Sequence, residues 1–419
     1  MNKIDYLRRR VADEYSKTNY QAAAEMGEVL LREHWHNSNM QTMGYANDLY
    51  NLALIYDELG ELERAAALYS DSAGQIVQIE GETISFAARL NALAVTLGRM
   101  GIDEPAYFML SHCVDIHRRE LGNRDPLYAD SLYNLANAAA DLGQFKDSLR
   151  FHLDALRVRE IVGRTPDIIN SLHSIAFLYE SSQDFENAVS YAETALELSG
   201  DYQESQASAR NYLASLYENL SKYEKALPLY DSVLETVLDE VGREHSTWMN
   251  VAFRRANLLA RMKRSQDALI CMEEVCRVFE SMTEPGTGHI FYANCLRSRA
   301  LLHMEMKQPH LAETLILDSM KTRRHASDDI SIDAILLIRL YLERGQCNEA
   351  LEVLIYVLMC SDSKGVGFPT FLTSLTDMFT NADGIDTSEF IKAMEVLNDR
   401  SRLRPILDKW AAWEKDRSE

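Results

Sequence analysis

Asparagine side chains recur at regular intervals along this chain of 419 residues. Seven consecutive segments of similar length each contain at least one of them. The set is Asn47, Asn91, Asn137, Asn170, Asn211, Asn250, Asn257 and Asn294. A side-chain amide offers both a hydrogen-bond acceptor and hydrogen-bond donors, which is the complement of a peptide group. A series of such amides could hold the backbone of an extended peptide largely independently of its sequence.

Aromatic and charged residues lie close to these asparagines in the sequence. The aromatic ones, Tyr50, Tyr133, Phe177 and Phe253, could add apolar contact, and His173 and Arg297 could add polar contact. An asparagine inside a helix can instead bond to a neighbouring element or simply face water. The sequence leaves both interpretations open, namely a binding surface and a structural role.

Two other groups could suggest metal chemistry. His34 and His36 are two residues apart, which places them on different faces of a helix. Residues 381–390 resemble the second half of a calcium-binding loop. However, Phe379 stands where the first oxygen ligand belongs, and the glutamate comes one residue too early. We therefore expect no metal and no other cofactor.

Catalytic signatures are missing from the sequence. It contains no phosphate-binding loop, no G-x-S-x-G, no H-E-x-x-H and no glycine-rich dinucleotide fingerprint. We therefore expect this chain not to be an enzyme.

Charge and composition narrow the class of partner further. The net charge is −21, and a surface this acidic repels nucleic acid and favours a partner with a basic or apolar segment. The six cysteines form no C-x-x-C pair, and no apolar run is long enough to span a membrane. The first residues lead directly into an amphipathic pattern without a signal sequence. These features predict a cytoplasmic protein that binds neither nucleic acid nor membranes.

The elements that would position these side chains follow from an internal repeat. The motif Leu-Ala-x-x-Tyr-x-x-Leu-Gly is clearest at residues 52–60 and recurs every 38 to 44 residues. Its glycine position is occupied in turn by Thr18, Gly60, Gly101, Gly143, Gln183, Ser221, Lys263, Lys307 and Gly345. A helical pattern on both sides of this position, at this period, predicts about nine stacked helix pairs.

Small residues recur within each repeat, and they predict where the two helices of a pair approach closely. The first-helix position holds Ala53, Ala94, Ala136, Ala176, Ala214, Ala256 and Ala300. The second-helix position holds Ala23, Ala65, Ala106, Ser148, Ala188, Ala226, Ala268, Ala312 and Ala350. We call the first set the first-helix alanines and use it as a frame of reference below.

The segment 122–136 carries a family resemblance. Its Gly-Asn-Arg-Asp-Pro turn and Asn-Leu-Ala helix resemble those of the longer, 42-residue tetratricopeptide repeat (TPR) of kinesin light chains, with Asp125 in place of histidine. The resemblance covers residues 4–360 and implies an all-α, right-handed α-solenoid of about nine TPR helix pairs. Residues 361–419 have a different pattern and are expected to form a helical cap, or alternatively a docking patch for a partner.

The resemblance also implies that the first helices line a concave groove. Counting from each first-helix alanine, the positions facing the groove would lie six and three residues before it and one, four and five after it. These positions contain all of the asparagines, aromatic residues and polar residues named above. The lysine required to bind the C-terminal carboxylate of a chaperone is missing at the matching places, so that kind of ligand is not expected.

Three functions are compatible with this pattern. The first is a non-catalytic TPR protein that binds a protein or peptide and holds an extended partner segment in the groove. The second is a scaffold or regulatory subunit that binds an enzyme through its outer faces and C-terminal cap. The third is a receptor of the bacterial peptide-pheromone type. The sequence does not specify the partner or the oligomeric state.

Overall fold

The computed structural model describes residues 3–37, 40–200, 203–282 and 289–361. Every regular element in these ranges is an α-helix. The eighteen helices are α1 (Lys3–Ser16), α2 (Tyr20–His36), α3 (Met43–Glu58), α4 (Leu62–Glu80), α5 (Ile84–Arg99), α6 (Asp103–Leu121), α7 (Pro126–Asp141), α8 (Phe145–Val162), α9 (Thr165–Ser181), α10 (Phe185–Leu198), α11 (Gln203–Asn219), α12 (Tyr223–Glu240), α13 (Ser246–Arg261), α14 (Ser265–Met282), α15 (Ile290–Glu305), α16 (Pro309–His325), α17 (Ser331–Glu343) and α18 (Cys347–Ser361). Nine helix pairs are thus confirmed.

A left-handed residue separates the two helices of every pair. All nine positions marked in the sequence have φ between 56° and 75°, whether glycine or not. At Gly60 the amide nitrogen donates to the carbonyl of Asp57, and the next amide donates to Tyr56 at 2.9 Å. These bonds satisfy the last carbonyls of the helix and reverse the chain. The repeat frame derived from the sequence is confirmed at every one of these turns.

Side-chain caps begin several of the first helices. The carboxylate of Asp125 accepts a bond of 2.8 Å from the amide of Leu127 at the start of α7. The ring nitrogens of His245 and His289 accept the equivalent bonds at α13 and α15. An N-cap satisfies an amide that has no partner within the helix. Asp125 therefore caps its helix in the same way as His245 and His289 cap theirs.

The small residues lie where the helices of a pair approach each other. All seven first-helix alanines are fully buried, and all nine residues of the second-helix set are at most 1% exposed. Around them pack larger side chains, such as Leu52, Tyr56 and Tyr69 in the second repeat. Their burial agrees with a close approach of the two helices.

The chain divides into two compact units, residues 1–209 and 210–419. In the first unit each helix from α1 to α10 packs on the next one, and α5 also contacts α7. The second unit repeats this arrangement from α12 to α18, with α13 contacting α15. One pair of first helices from neighbouring repeats therefore touches in each unit. The expected domain limit at 360 stays a prediction, because residues 362–419 lie outside the described part.

Polar side chains are buried where the end of a second helix meets the next first helix. The pairs include His34 with Asp48 at 2.7 Å, His117 with Ser131 at 2.6 Å and Arg159 with Ser171 at 2.8 Å. Each of these residues is at most 8% exposed. A buried polar group is costly without its partner, so these bonds favour one register between neighbouring repeats.

Candidate functional site

In each of the seven first helices that have a first-helix alanine, four positions share one side, and their residues are either exposed or half-buried. They lie six and two residues before the first-helix alanine and one and five after it, so their spacings are four, three and four. These spacings place the side chains on one stripe of an α-helix. In α3 the stripe contains Asn47, Asn51, Leu54 and Glu58, and three of these are exposed. We call this surface the first-helix face.

In the first unit this face combines amides with apolar groups. Asn137 and Asn170 are exposed, and so are Val95 and Phe177, whose side chains are 41% and 60% exposed. The aromatic ring of Phe177 lies seven residues after Asn170, on the same side of α9. This part of the surface could bond to a peptide backbone and bury an apolar side chain of a partner.

In the second unit the same face is more basic. Asn250, Arg254 and Arg261 are exposed on α13, Asn257 is half-buried between them, and Leu301 is exposed on α15. Arg261 lies 3.8 Å from Glu218, so its charge is partly balanced.

The position three residues before the first-helix alanine is turned further into the protein than we expected. All seven residues there are half-buried. They are Tyr50, Asn91, Tyr133, His173, Asn211, Phe253 and Arg297. The position lies on the flank of the helix, where the neighbouring repeat packs. Their contact with a partner stays a prediction, whereas their contacts within the protein are visible.

The aromatic residues at this position pack on neighbouring elements. The ring of Tyr133 has the guanidinium of Arg159 at 4.4 Å from its centre and the ring of His152 at 5.1 Å. Its hydroxyl lies 3.1 Å from Ser174 of the next first helix. Phe253 packs on Phe291 with the ring centres 5.5 Å apart.

Three of the asparagines bond to side chains of other helices, two of them across repeats. Asn47 accepts from the guanidinium of Arg89 at 2.5 Å, and Asn91 accepts from the amide of Asn134 at 2.9 Å. Asn294 accepts from Arg323 of α16, the second helix of its own repeat. These three asparagines therefore have a structural role, which was one of the two interpretations of the sequence. No such bond is seen for the exposed Asn137, Asn170 and Asn250 in the described part of the chain.

Arg297 also belongs to a buried network. It bonds to Asp333 of α17, which is fully buried and accepts a further bond of 2.8 Å from Arg323. Two guanidinium groups therefore share one carboxylate. This arrangement explains why a cation at position 297 is half-buried, since its charge is neutralised inside the protein.

Two histidines of the first unit are kept neutral by their surroundings. Burial lowers the pKa of His173. Burial, together with the nearby charge of Arg159, lowers the pKa of His152 to about 4. Removing an imidazole from water disfavours its charged form, and a neighbouring cation adds to this effect. Neither ring carries positive charge at neutral pH.

The electrostatics of the two units differ. Residues 1–209 contain 17 lysines and arginines against 32 aspartates and glutamates, whereas residues 210–419 contain 26 against 32. The first unit thus has a net charge of −15 and the second −6. Some carboxylates are paired, as Asp57 is with Arg99 at 2.6 Å. Others, such as Glu58 and Asp141, stay exposed on the first-helix face.

Among the described residues, no three histidine, cysteine or acidic side chains converge in a way that could hold a metal ion. His34 is buried against Asp48, whereas His36 is exposed. The calcium-loop-like residues 381–390 and the expected cap lie outside the described part. The cysteines whose side chains are described are free thiols; Cys113, Cys276 and Cys295 are buried, and Cys271 is half-buried.

The position two residues before each first-helix alanine was not expected to face solvent. Asn51 and Arg254 are exposed there. The signal was available, because this position completes the four–three–four spacing of an exposed helical stripe. Glu58 was missed as well, although it occupies a position that we expected to face the groove.

The fold and this surface define an α-helical repeat protein with a polar face along its first helices. Residues 49–72, 134–201 and 167–239 match family models described as tetratricopeptide repeat. These stretches of the chain are therefore similar to tetratricopeptide repeats, and the paired helices of the described residues have the same architecture. Proteins with such repeats generally act as protein-binding scaffolds and are typically non-catalytic.

Two relatives from Arabidopsis thaliana are similar to the chain. Protein KINESIN LIGHT CHAIN-RELATED 1 is 24% identical over 284 residues, which is 66% of this chain and 46% of the relative. Protein KINESIN LIGHT CHAIN-RELATED 3 is 24% identical over 239 residues, which is 56% of this chain and 37% of the relative. The chain thus spans less than half the length of these curated relatives.

Solved structures agree on the fold. A signal transduction ATPase with numerous domains and a tetratricopeptide repeat sensor, from Pyrococcus horikoshii, has a TM-score of 0.61 at 12% identity, covering 90% of this chain and 55% of that one. The apo form of RapI has a TM-score of 0.57 at 14% identity, covering 87% and 99%. Identities this low show the fold alone. None of the described helices is long and apolar enough to cross a membrane.

Proposed function

We propose that this protein is a non-catalytic scaffold that holds an extended segment of a protein partner on its first-helix face. The observation that carries the proposal is the exposed set of amides and apolar side chains in the first unit, Asn137, Asn170, Val95 and Phe177. Amides can bond to successive peptide groups, while an exposed phenylalanine ring gains by burial against a partner. The similarity to kinesin light chain-related proteins supports a protein partner.

The partner segment is expected to be basic with apolar residues. The first unit has a net charge of −15, and exposed carboxylates such as Asp141 lie on the same face as the amides. Complementary charge accelerates encounter and disfavours acidic competitors.

The experiment compares capture of proteins from native lysate by the wild-type chain and by a variant with Asn137→Ala, Asn170→Ala and Phe177→Ala. All three side chains are exposed, so the variant is expected to fold normally. A protein captured by the wild type and lost with the variant is then divided into overlapping peptides. We expect one basic segment of it to bind the wild-type chain directly.

A matched control is available on the second helices. Phe145 is 52% exposed at the start of α8, comparable to Phe177, but it lies away from the first-helix face. Phe145→Ala should retain the partner. Equal capture by the wild type and the triple variant would contradict the proposal.

A second candidate function uses the second helices instead. Phe108 on α6 is 70% exposed, and Ile161 and Phe145 on α8 are 64% and 52% exposed. Apolar side chains this exposed are compatible with a scaffold that binds an enzyme through its outer faces. Loss of the partner with Phe108→Ser and Phe145→Ala, but not with the triple variant, would favour this second function.

A further inference from the structure

The first unit contains a cleft of about 380 Å³ between α1, α2 and α3. Its walls are mainly apolar, and the side chains lining it include Val11, Leu30, Leu52 and Ile55. Tyr15 stands at its edge and is 37% exposed. A volume of this size falls at the lower end of the range for ligand-binding pockets, which is about 300–1,000 Å³.

Two of the residues that line the cleft, Gly27 and Ala12, are smaller than several of their equivalents in later repeats. Gly27 lies four residues after the second-helix alanine Ala23, where later repeats have buried residues such as Tyr69, Tyr230 and Met272. Ala12 lies at the solvent-facing position that Phe177 occupies in α9. Leu52 packs directly over Gly27, and the small side chain of Ala12 leaves the entrance of the cleft uncovered on the side of α1.

The cleft opens on the first-helix face. Its rim includes Ala12 of α1 and Asn51 of α3, and both are exposed members of that face. A peptide lying across α1 and α3 could therefore place one side chain in the cleft while the amide of Asn51 bonds to its backbone.

The polar end of the cleft is electrically balanced. Arg8 donates to the two carboxylate oxygens of Asp48 at 2.8 and 2.9 Å, and His34 lies 2.7 Å from the same carboxylate. Because this carboxylate is already paired, the polar end offers no uncompensated charge to a ligand. The interior therefore favours an apolar side chain over a charged one.

The carboxylate of Glu58 lies near Tyr15 at the rim of the cleft. Burial, and then the charge of Glu58, raise the pKa of Tyr15, so Glu58 lies within electrostatic range of the rim. Glu58 is exposed and makes no ion pair within the described part of the chain. A basic residue next to the inserted side chain would meet this carboxylate.

We propose that the α1–α2–α3 cleft is the anchor subsite of the first-helix face and takes one aliphatic or aromatic side chain flanked by lysine or arginine in the partner segment. This inference rests on the proposed function and specifies the partner further. Apolar burial supplies the affinity at this subsite, and Glu58 sets the preference for a basic neighbour.

The test uses the full chain and a library of random dodecapeptides displayed on phage. Selections run in parallel on the wild type, Ala12→Phe and Ala67→Phe. Phenylalanine at position 12 fills the cleft, whereas Ala67 is exposed on α4 and does not line it. Circular dichroism melting shows whether both variants are folded. Gly27→Ala is a second filling variant, since its Cβ would lie 2.7 Å from Leu52 Cδ1 and displace that side chain.

We expect peptides selected by the wild type and by Ala67→Phe to share an apolar residue beside lysine or arginine. Synthetic, fluorescein-labelled copies should bind Ala12→Phe about ten- to a hundredfold more weakly, because they can no longer bury this residue. Replacing the apolar residue of the peptide by alanine should have the same effect on the wild type. Glu58→Gln should reduce the preference for the basic neighbour.

Unchanged affinity for Ala12→Phe, or selected peptides without an apolar residue, would overturn the cleft proposal. If those peptides are nevertheless lost with Asn170→Ala and Phe177→Ala, the proposed function stands and only the cleft is excluded. If the wild type selects no peptide at all, both proposals fail.

Discussion

Single residues control how closely the helices of this protein approach. Each first-helix alanine is fully buried. Interiors are packed as densely as organic crystals, so an added group must displace its neighbours. Side chains a few residues away on the same helix are exposed and do not have this constraint.

Ala136→Leu should lower the free energy of unfolding by about 1–3 kcal/mol through overpacking at the α7–α8 crossing. Ala88→Leu is the matched control, because Ala88 is exposed on α5 and its replacement should change stability little. Urea denaturation followed by circular dichroism measures both. Equal effects of the two substitutions would show that the crossing is not tightly packed.

Single buried histidines also make the stability of this protein depend on pH. His152 occupies a position that is filled by apolar Leu110 in the preceding repeat, and it is 1% exposed. Its pKa falls from an ordinary value of 6.5 to about 4 in the folded protein. Below pH 6.5 the unfolded chain therefore binds a proton that the folded chain refuses.

The contribution of His152 to stability should be complete above pH 6.5 and be lost as the pH falls towards 4. The loss amounts to about 3 kcal/mol near pH 4. His152→Leu should lose less stability over this interval in urea titrations at a series of pH values. His310→Leu, at an exposed position, should retain the pH dependence of the wild type.

At the scale of helices, the decisive feature is the left-handed residue between the two members of each pair. Four of these positions are glycine and five are not. A residue with a Cβ pays about 1–2 kcal/mol in this conformation, and glycine does not. Residues such as Gln183 are therefore kept at a cost in stability, because the turn must form wherever the repeat occurs.

Gln183→Gly should raise the free energy of unfolding by about 1 kcal/mol, and Gly143→Ala should lower it by about the same amount. A Cβ at Gly143 would meet nothing within 4 Å, so the expected loss comes from the backbone alone. Gly98→Ala is the control. That glycine is also unobstructed but lies inside α5, where alanine should stabilise the helix. Thermal melts show whether each of the three substitutions raises or lowers stability. A loss of stability in Gln183→Gly would contradict the predicted cost of a Cβ at this turn.

At the scale of the whole molecule, charge is unevenly distributed along the chain. The first unit carries most of the excess of acidic residues, and exposed carboxylates are part of its first-helix face. Such a field attracts basic segments over distances comparable to the Debye length, and added salt screens it.

The association rate of a basic peptide selected on the full chain should decrease as salt is added, while its dissociation rate changes little. Glu58→Gln with Asp141→Asn should slow association and flatten the salt dependence. Glu186→Gln, at an exposed position of α10, should matter less because it lies away from the first-helix face. Stopped-flow fluorescence measures these rates, and a flat salt response of the wild type would exclude electrostatic attraction.

Much of this architecture could be predicted from local sequence. The position of each left-handed turn, the two series of small residues and the nine helix pairs all follow from side-chain periodicity and backbone conformation. These depend on residues within one or two turns of helix, so they can be recognised without knowledge of the neighbouring repeat. Position 183 was recognised from its spacing even though it is not glycine.

The composition of the candidate site depended on the tertiary structure. Tyr133 and Asn91 were expected to face a ligand, but the adjoining repeat half-buries them and bonds to them. Asn51 was missed although it is exposed. The cleft beside it requires α1, α2 and α3 together, because residues of all three helices line it. Sequence period determines which residues share a helix face, whereas the packing of neighbouring repeats decides which of those faces remains open to a partner.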